Sequence, residues 1–138
     1  MILFCKKQRI SALLLTLLFS ACVTTVNIGE NLSPAELIQR AQEATDKNRY
    51  NIALQYYEAL YDRYSENIDL IITAEYEIAF IHYKQKKYNQ AHNEFTSILK
   101  YYDSPDEELL PQHFKKLSQI VIQKIEEKEN PKAKNSKK

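Results

Sequence analysis

The sequence predicts an all-α protein, built as a short solenoid of helical hairpins with two repeats and a closing helix. One Gly and four Pro are spread over 138 residues, so few positions favour the tight turns of a β-sheet protein. Ala, Leu, Gln, Glu and Lys are frequent in the middle of the chain, and these residues form helices readily. The same central part repeats its own pattern at a spacing of 38 residues, which indicates a repeat architecture.

The N-terminal segment has the features of an export signal. Lys6, Lys7 and Arg9 form a cationic start, and Ile10–Ala21 then contains 12 residues without a charge. Twelve residues are too few to span the roughly 30 Å hydrocarbon core as a helix. We therefore predict that residues 1–21 are a signal peptide and not a membrane span.

The residues around Cys22 predict a lipid anchor. Ser20 and Ala21 directly precede Cys22, and this resembles the bacterial lipobox, although Phe19 stands where the usual pattern has Leu. Cleavage would remove Cys5 and leave Cys22 as the last thiol, which lipidation would consume. Two or three acyl chains would give lasting membrane attachment. The alternative is a plain secretory signal followed by an ordinary cysteine.

Val23, and not Asp, follows the cysteine, and in enteric-type sorting this resembles an outer-membrane address. We expect the mature protein in the cell envelope, lipid-anchored and facing the periplasm.

Three further segments follow the signal peptide. We predict a lipidated tether over residues 22–32, a helical domain over 33–129 and a disordered basic tail over 130–138. Ser33-Pro34-Ala35-Glu36 has the pattern of a capping box with Pro at the first helical position. Ser104-Pro105-Asp106-Glu107 has the same pattern, so a second helix start is predicted there.

The internal repeat pairs two stretches that each predict the second helix of a hairpin. Each stretch has an aromatic residue, Ala three positions later, an aromatic seven positions later and an aliphatic ten positions later, all on one helical face. The pairs are Tyr50 with Tyr88, Ala53 with Ala91, Tyr57 with Phe95 and Leu60 with Ile98. Upstream, Ile38, Ala41 and Ala44 correspond to Tyr76, Ala79 and His82.

This arrangement resembles the tetratricopeptide repeat, most closely over Ile78–Lys100. The resemblance implies that Ala79 and Ala91 are the small residues that allow two antiparallel helices to approach closely. It also implies that Phe95 fills the core, and that Asn48 and Lys86 occupy the turn position where the family usually has Gly.

A repeat of 38 residues, longer than the usual 34 or so, resembles BamD-type (YfiO-type) outer-membrane assembly lipoproteins over residues 34–125. The last predicted helix, Pro111–Glu129, is a closing helix without a partner of its own. Its apolar residues stand at helical spacing: Phe114, Leu117, Ile120, Val121 and Ile125. Its other positions are polar, as expected at the end of a solenoid.

The resemblance also implies where a partner would bind, namely in the concave groove formed by the first helices of the hairpins. The residues predicted to line this groove are Gln42, Thr45, Asp46, Thr73, Tyr76, Phe80, Tyr83 and Lys84. Aromatic side chains beside Lys and Asp are typical of peptide-binding surfaces. Core packing of Phe80 against the closing helix is the alternative.

The remaining patterns do not predict an enzyme. His82, His92 and His113 lie on three different helices and lack metal-ligand spacing, so we expect no metal and no cofactor. The net charge of +1 comes without a basic stripe, which argues against nucleic acid. Two functions stay open. One is an envelope adaptor that binds a protein or peptide segment, with outer-membrane assembly or secretion as its setting, and the other is a structural lipoprotein associated with the cell wall.

Overall fold

The computed structural model describes residues 25–129, and this part of the chain is all-helical, with no strand. The predicted all-α class is therefore confirmed. The five α-helices are α1 (Pro34–Asp46), α2 (Tyr50–Arg63), α3 (Ile68–Lys84), α4 (Tyr88–Leu99) and α5 (Gln112–Glu129). Two short 3₁₀ helices, Lys100–Asp103 and Glu107–Leu109, connect α4 to α5. Cys22 and the tail over 130–138 lie outside the described residues.

The predicted cap of α1 is present. The Glu36 backbone N–H donates to Ser33 Oγ, and the Ser33 backbone N–H donates to Glu36 Oε2 at 2.9 Å. These two bonds satisfy amides that the first turn of a helix leaves free, and they favour ionised Glu36, whose pKa is lowered. At the start of α3 the Asn67 side chain accepts from the amides of Asp69 and Leu70.

The second predicted helix start, at Ser104, is wrong. A turn and a short 3₁₀ helix follow Ser104, and α5 begins only at Gln112. The physical reason is Pro111, which disfavours helical geometry at the residue before it; Leu110 is extended, with ψ 157°. The closing helix itself begins within one residue of its predicted start.

The two hairpin turns use left-handed residues at the predicted positions. Asn48 has φ 55° and Lys86 has φ 63°. Asn tolerates this conformation through its short polar side chain, whereas Lys carries the cost of a Cβ in the left-handed region. Each turn needs only three residues, so α1 and α2 pack as one antiparallel hairpin and α3 and α4 as another.

Small residues occupy buried positions in both hairpins. Ala41 and Ala53 between α1 and α2, and Ala79 and Ala91 between α3 and α4, are all fully buried. Side chains without volume beyond Cβ let the helix axes approach at the short end of the usual 8–10 Å range. The larger buried residues then fill the space on either side of the crossings, notably Tyr57 and Phe95.

Helix α5 covers the core with a different set of residues from the one predicted. Leu117 was expected at the position that corresponds to Ala79, but Leu117 is 39% exposed and Ser118 is fully buried. Ile120 is also partly exposed, at 37%, while Phe114, Val121 and Ile125 face the core. Because Ser118 is small, it allows α5 to approach α4 closely.

Residues 25–32, predicted as a free tether, lie against α2. The Arg63 guanidinium donates to the carbonyl oxygens of Gly29 at 2.8 Å and Ile28 at 3.2 Å. Tyr64 Oη donates to the Leu32 carbonyl, and the Val26 amide donates to Gln55 Oε1 at 2.8 Å. The side chains of Val26, Ile28 and Leu32 pack on the first hairpin. We name residues 25–32 the docked strap.

Enlarging the crossing residue Ala91 is expected to destabilise the second hairpin. Ala91 is fully buried, so Ala91→Leu should force apart α3 and α4 at a cost of about 1–3 kcal/mol. Ala35→Leu is the matched control because Ala35 is exposed in the first turn of α1. Denaturant unfolding of the two variants measures the difference. Equal free energies of unfolding would show that Ala91 is not at a tight crossing.

Candidate partner-binding surface

The residues predicted for the groove have three different environments in the structure. Gln42, Asp46 and Lys84 are exposed, and Thr73, Phe80 and Tyr83 are half-buried. Thr45 and Tyr76 are buried. The exposed and half-buried residues remain available to a partner.

The predictions for Tyr76 and Thr45 are wrong. Tyr76 is only 7% exposed, and its ring lies 4.9 Å from the ring of Phe114 and 5.5 Å from that of Phe95, between centroids. The closing helix therefore covers Tyr76. Thr45 turns its hydroxyl back along α1 to donate to the Ala41 carbonyl at 2.9 Å. Both side chains belong to the interior.

Aromatic rings continue outward from Tyr76. Phe80 stacks on Tyr76 with centroids 6.1 Å apart, Tyr83 stacks on Phe80 at 6.0 Å, and Tyr88 follows Tyr83 at 5.8 Å. Positions 76, 80 and 83 are spaced four and three residues apart, so they lie on one face of α3. We name the half-buried rings of Phe80, Tyr83 and Tyr88 the aromatic ladder.

Two exposed lysines lie beside this ladder. Lys84 Nζ is 5.5 Å from the ring centroid of Phe80, and Lys128 Nζ is 5.0 Å and 5.1 Å from those of Tyr83 and Tyr88. Lys128 Nζ also donates to Tyr88 Oη at 3.3 Å, and the pKa of the Lys128 ammonium is raised by the Tyr88 and Tyr83 hydroxyls. These distances are typical of cation–π pairs.

The sequence analysis did not assign Tyr88 or Lys128 to the binding surface. Tyr88 was predicted as a core position of the repeat, and Lys128 as part of the polar end of the solenoid. The two residues are 40 positions apart, and only the packing of α5 on α4 brings them together. No local spacing rule connects them.

Tyr57 on α2 and Glu77 on α3 interact electrostatically and are both largely buried. The Tyr57 hydroxyl is buried and has no hydrogen-bond partner within residues 25–129, and its pKa is raised by burial and by the nearby carboxylates Glu77 and Asp46. Burial also raises the pKa of Glu77, while Lys84 acts in the opposite direction. Ionised Glu77 is therefore unfavourable where it stands.

This environment gives a pH-dependent prediction for Glu77→Gln. A carboxyl group whose pKa is higher in the folded state loses its stabilising contribution as the pH rises through that pKa. The amide should therefore raise the melting temperature at pH ~7, and the gain should vanish below pH ~4, where the free carboxyl is protonated in both states. Glu66→Gln is the control because Glu66 is exposed and does not line a cleft with other carboxylates. A gain that persists in acid would show that charge is not the cause.

A second surface, which the sequence analysis missed, is an acidic cleft over α2, α3 and α4. Its volume is about 530 Å³, and its lining residues are Glu58, Tyr61, Asp62, Glu75, Ile78, Asn93, Glu94 and Ser97. Burial raises the pKa of Glu75, which accepts a hydrogen bond from Tyr101 Oη at 3.2 Å. Glu58 and Asp62 could have indicated this cleft from the sequence. They are like charges four residues apart, and such a pair destabilises a helix.

His82 links two helices. His82 is buried, and its Nδ1 lies 2.9 Å and 2.8 Å from the two carboxylate oxygens of Glu94, which links α3 to α4. No group of three or more His, Cys, Asp or Glu side chains with the geometry to hold a metal ion is found among residues 25–129. Over the same residues, no helix is long and apolar enough to cross a membrane.

Comparison with known proteins gives one relative of undefined function. The chain is similar to an uncharacterized protein of Treponema pallidum (strain Nichols), with 34% identity over 134 residues. The alignment covers 95% of this chain and 54% of the relative. The chain thus spans about half the length of the curated relative that it matches. No protein-family model matches the chain, and no solved structure matches it.

Proposed function

We propose that this protein is a lipid-anchored envelope adaptor of the tetratricopeptide type, which binds a segment of a partner protein on the aromatic ladder. The carrying observation is the set of half-buried rings that continues outward from the core and ends beside two exposed lysines. Helix α5 covers Tyr76, whereas the rings of Phe80, Tyr83 and Tyr88 pack against the same core and stay only partly buried.

The chemistry of the ladder supports a peptide ligand. Aromatic residues present a large contact area with few rotatable bonds, and they are frequent among residues that dominate binding energy. Lys84 and Lys128 add positive charge at the edge of the rings. A partner segment that carries apolar or aromatic side chains together with Asp or Glu would complement this surface.

Helix α5 extends the same surface. Leu117 and Ile120 are partly exposed apolar residues, and they share one helical face with Lys124 and Lys128 at spacings of three to four residues. Lys128 contacts the ladder directly. An apolar strip with lysines therefore adjoins the rings, which provides more contact area than the rings alone.

The lipid anchor rests on the sequence. The cationic start, the uncharged stretch and Ser20-Ala21-Cys22 form the order in which a lipoprotein signal is read. Paired small residues at the helix crossings, Ala41 with Ala53 and Ala79 with Ala91, support the tetratricopeptide type. A partner in outer-membrane assembly or secretion would fit a periplasmic location.

Photo-crosslinking in the producing cell tests the adaptor function. Benzoylphenylalanine at Leu117, beside the ladder, should give a discrete crosslinked protein, and the double change Phe80→Ala with Tyr83→Ser should remove that product. Leu109 is the matched control position. It is an exposed leucine in the short helix that follows α4, away from the ladder. Identical products from both positions, or none from Leu117, would contradict the proposal. Crosslinks to peptidoglycan alone would favour the cell-wall alternative.

A further inference from the structure

The docked strap defines the direction from which the lipid anchor reaches the domain. The strap and α2 run in the same direction. Its hydrogen bonds follow the order Val26 with Gln55, Ile28 and Gly29 with Arg63, and Leu32 with Tyr64. Followed toward the N-terminus, the strap therefore leads to the first half of α2. Val26, the first residue of the strap with a bond to α2, therefore lies at that end.

Covalent geometry limits how far Cys22 can be from this point. Val26 is four positions after Cys22, and a fully extended chain spans at most about 3.6 Å per residue, or roughly 14 Å. Gln55 lies about 8 Å along the helix from Tyr50, the first residue of α2, at ~1.5 Å per residue. A lipidated Cys22 would hold this end of the domain at the bilayer surface.

Both hairpin turns lie at this same end. Helices α1 and α3 end there and α2 and α4 begin there, because each pair forms an antiparallel hairpin. Helix α5 also ends there, as the contact between Lys128 and Tyr88 shows. The end that faces the anchor is thus made of the turns Lys47–Arg49 and Gln85–Lys87 and the last turn of α5.

Charge is distributed unevenly between the two ends. The turns Lys47–Arg49 and Gln85–Lys87 carry four basic side chains and no acid: Lys47, Arg49, Lys86 and Lys87. Lys84 stands directly before the second turn and Asp46 directly before the first. The last turn of α5 holds one base, Lys128, and three acids, Glu126, Glu127 and Glu129. The opposite end is acidic, with the carboxyl groups of Glu36, Asp62, Glu66, Asp69, Asp103, Asp106, Glu107 and Glu108.

We propose that the basic end, defined by Lys47, Arg49, Lys86 and Lys87, binds anionic phospholipid headgroups of the membrane that carries the anchor. This inference rests on the lipid anchor of the proposed function, since the strap gives the orientation only if Cys22 is in the bilayer. A basic residue near an anionic bilayer gains about 1 kcal/mol. The acidic end points away from the membrane by the same rule, and the aromatic ladder lies close to the lipid surface.

Vesicle cosedimentation tests this surface without the anchor. The chain from residue 22 with Cys22→Ser contains every described helix, and it is mixed with vesicles of equal parts phosphatidylcholine and phosphatidylglycerol. Lys86→Asn with Lys87→Gln should weaken binding by roughly 30-fold. Lys100→Gln with Lys116→Gln removes the same charge from the other end and should leave binding within about twofold. Thermal unfolding checks that both double variants are folded.

The outcomes separate this inference from the proposed function. Equal weakening by both double variants would show attraction to net charge and overturn the proposal. Binding that neither double variant changes would assign the contact to the basic residues beyond Glu129 and overturn the proposal. A chain without the lysine changes that does not bind the vesicles would overturn it too. The assay uses no acyl chain and no protein partner, so a failed lipidation or crosslinking experiment does not affect its result.

Discussion

Phe95→Ala is expected to destabilise the protein by about 3–5 kcal/mol, a large part of the stability of a domain of this size. Phe95 is fully buried on α4, and its ring contacts that of Tyr76 edge to face, with centroids 5.5 Å apart. The change leaves a cavity between both helices of the second hairpin and the closing helix. It also removes an aromatic pair worth about 0.5–1.5 kcal/mol beyond its buried area.

Urea unfolding followed by circular dichroism measures this loss. Leu109→Ala is the control, since Leu109 is 81% exposed and its truncation should change the free energy of unfolding by less than about 0.5 kcal/mol. A loss of under 1 kcal/mol for Phe95→Ala would mean that Phe95 is not central to the core between the second hairpin and α5.

The second large effect is expected at Cys22. Cys22→Ala should abolish lipid attachment, because a single change removes the thiol on which lipidation begins. The precursor should remain uncleaved by the lipoprotein peptidase, and the protein should leave the detergent phase on phase separation. Immunoblots of the fractions show both size and partition.

Cys5→Ala is the matched control, because Cys5 lies inside the predicted signal peptide. It should leave mature size and membrane partition unchanged. Mature-sized Cys22→Ala protein that still partitions with detergent would refute the lipoprotein assignment and leave the plain secretory signal as the explanation.

The regular parts of the fold could be predicted because local chemistry fixes them. Ser33 and Glu36 cap α1 as predicted, and Asn48 and Lys86 adopt the left-handed turn conformation that the repeat pattern requires. The alanines that the family resemblance placed at the crossing, Ala79 and Ala91, are also buried. Each of these features depends on a few neighbouring residues or on the repeat itself.

The errors come from competing local signals and from contacts between distant segments. Ser104 has a capping pattern, but Pro111 delays the helix to Gln112. Leu117 is 38 positions after the buried Ala79, so the repeat predicted Leu117 in the core. In the structure Ser118, one residue later, is buried instead. A closing helix packs on one hairpin only, so its register is not fixed by the repeat.

Part of the predicted groove is accessible in the structure. Phe80, Tyr83 and Lys84 are accessible, whereas α5 covers Tyr76. The contribution of Lys128 and the docking of the strap through Arg63 depend on residues 34 to 45 positions apart. Composition and periodicity report a helical face and do not report which distant segment lies against it.

The most direct test of the central claim is the affinity of the purified protein for the segment recovered by crosslinking at Leu117, compared with the double variant Tyr83→Ser with Lys84→Ser. If the aromatic ladder is a binding surface, the dissociation constant should rise by about 30-fold, as expected for loss of a hot spot, while the melting temperature falls by no more than ~3 °C. An unchanged dissociation constant, or a weaker affinity accompanied by a large fall in melting temperature, would contradict the claim.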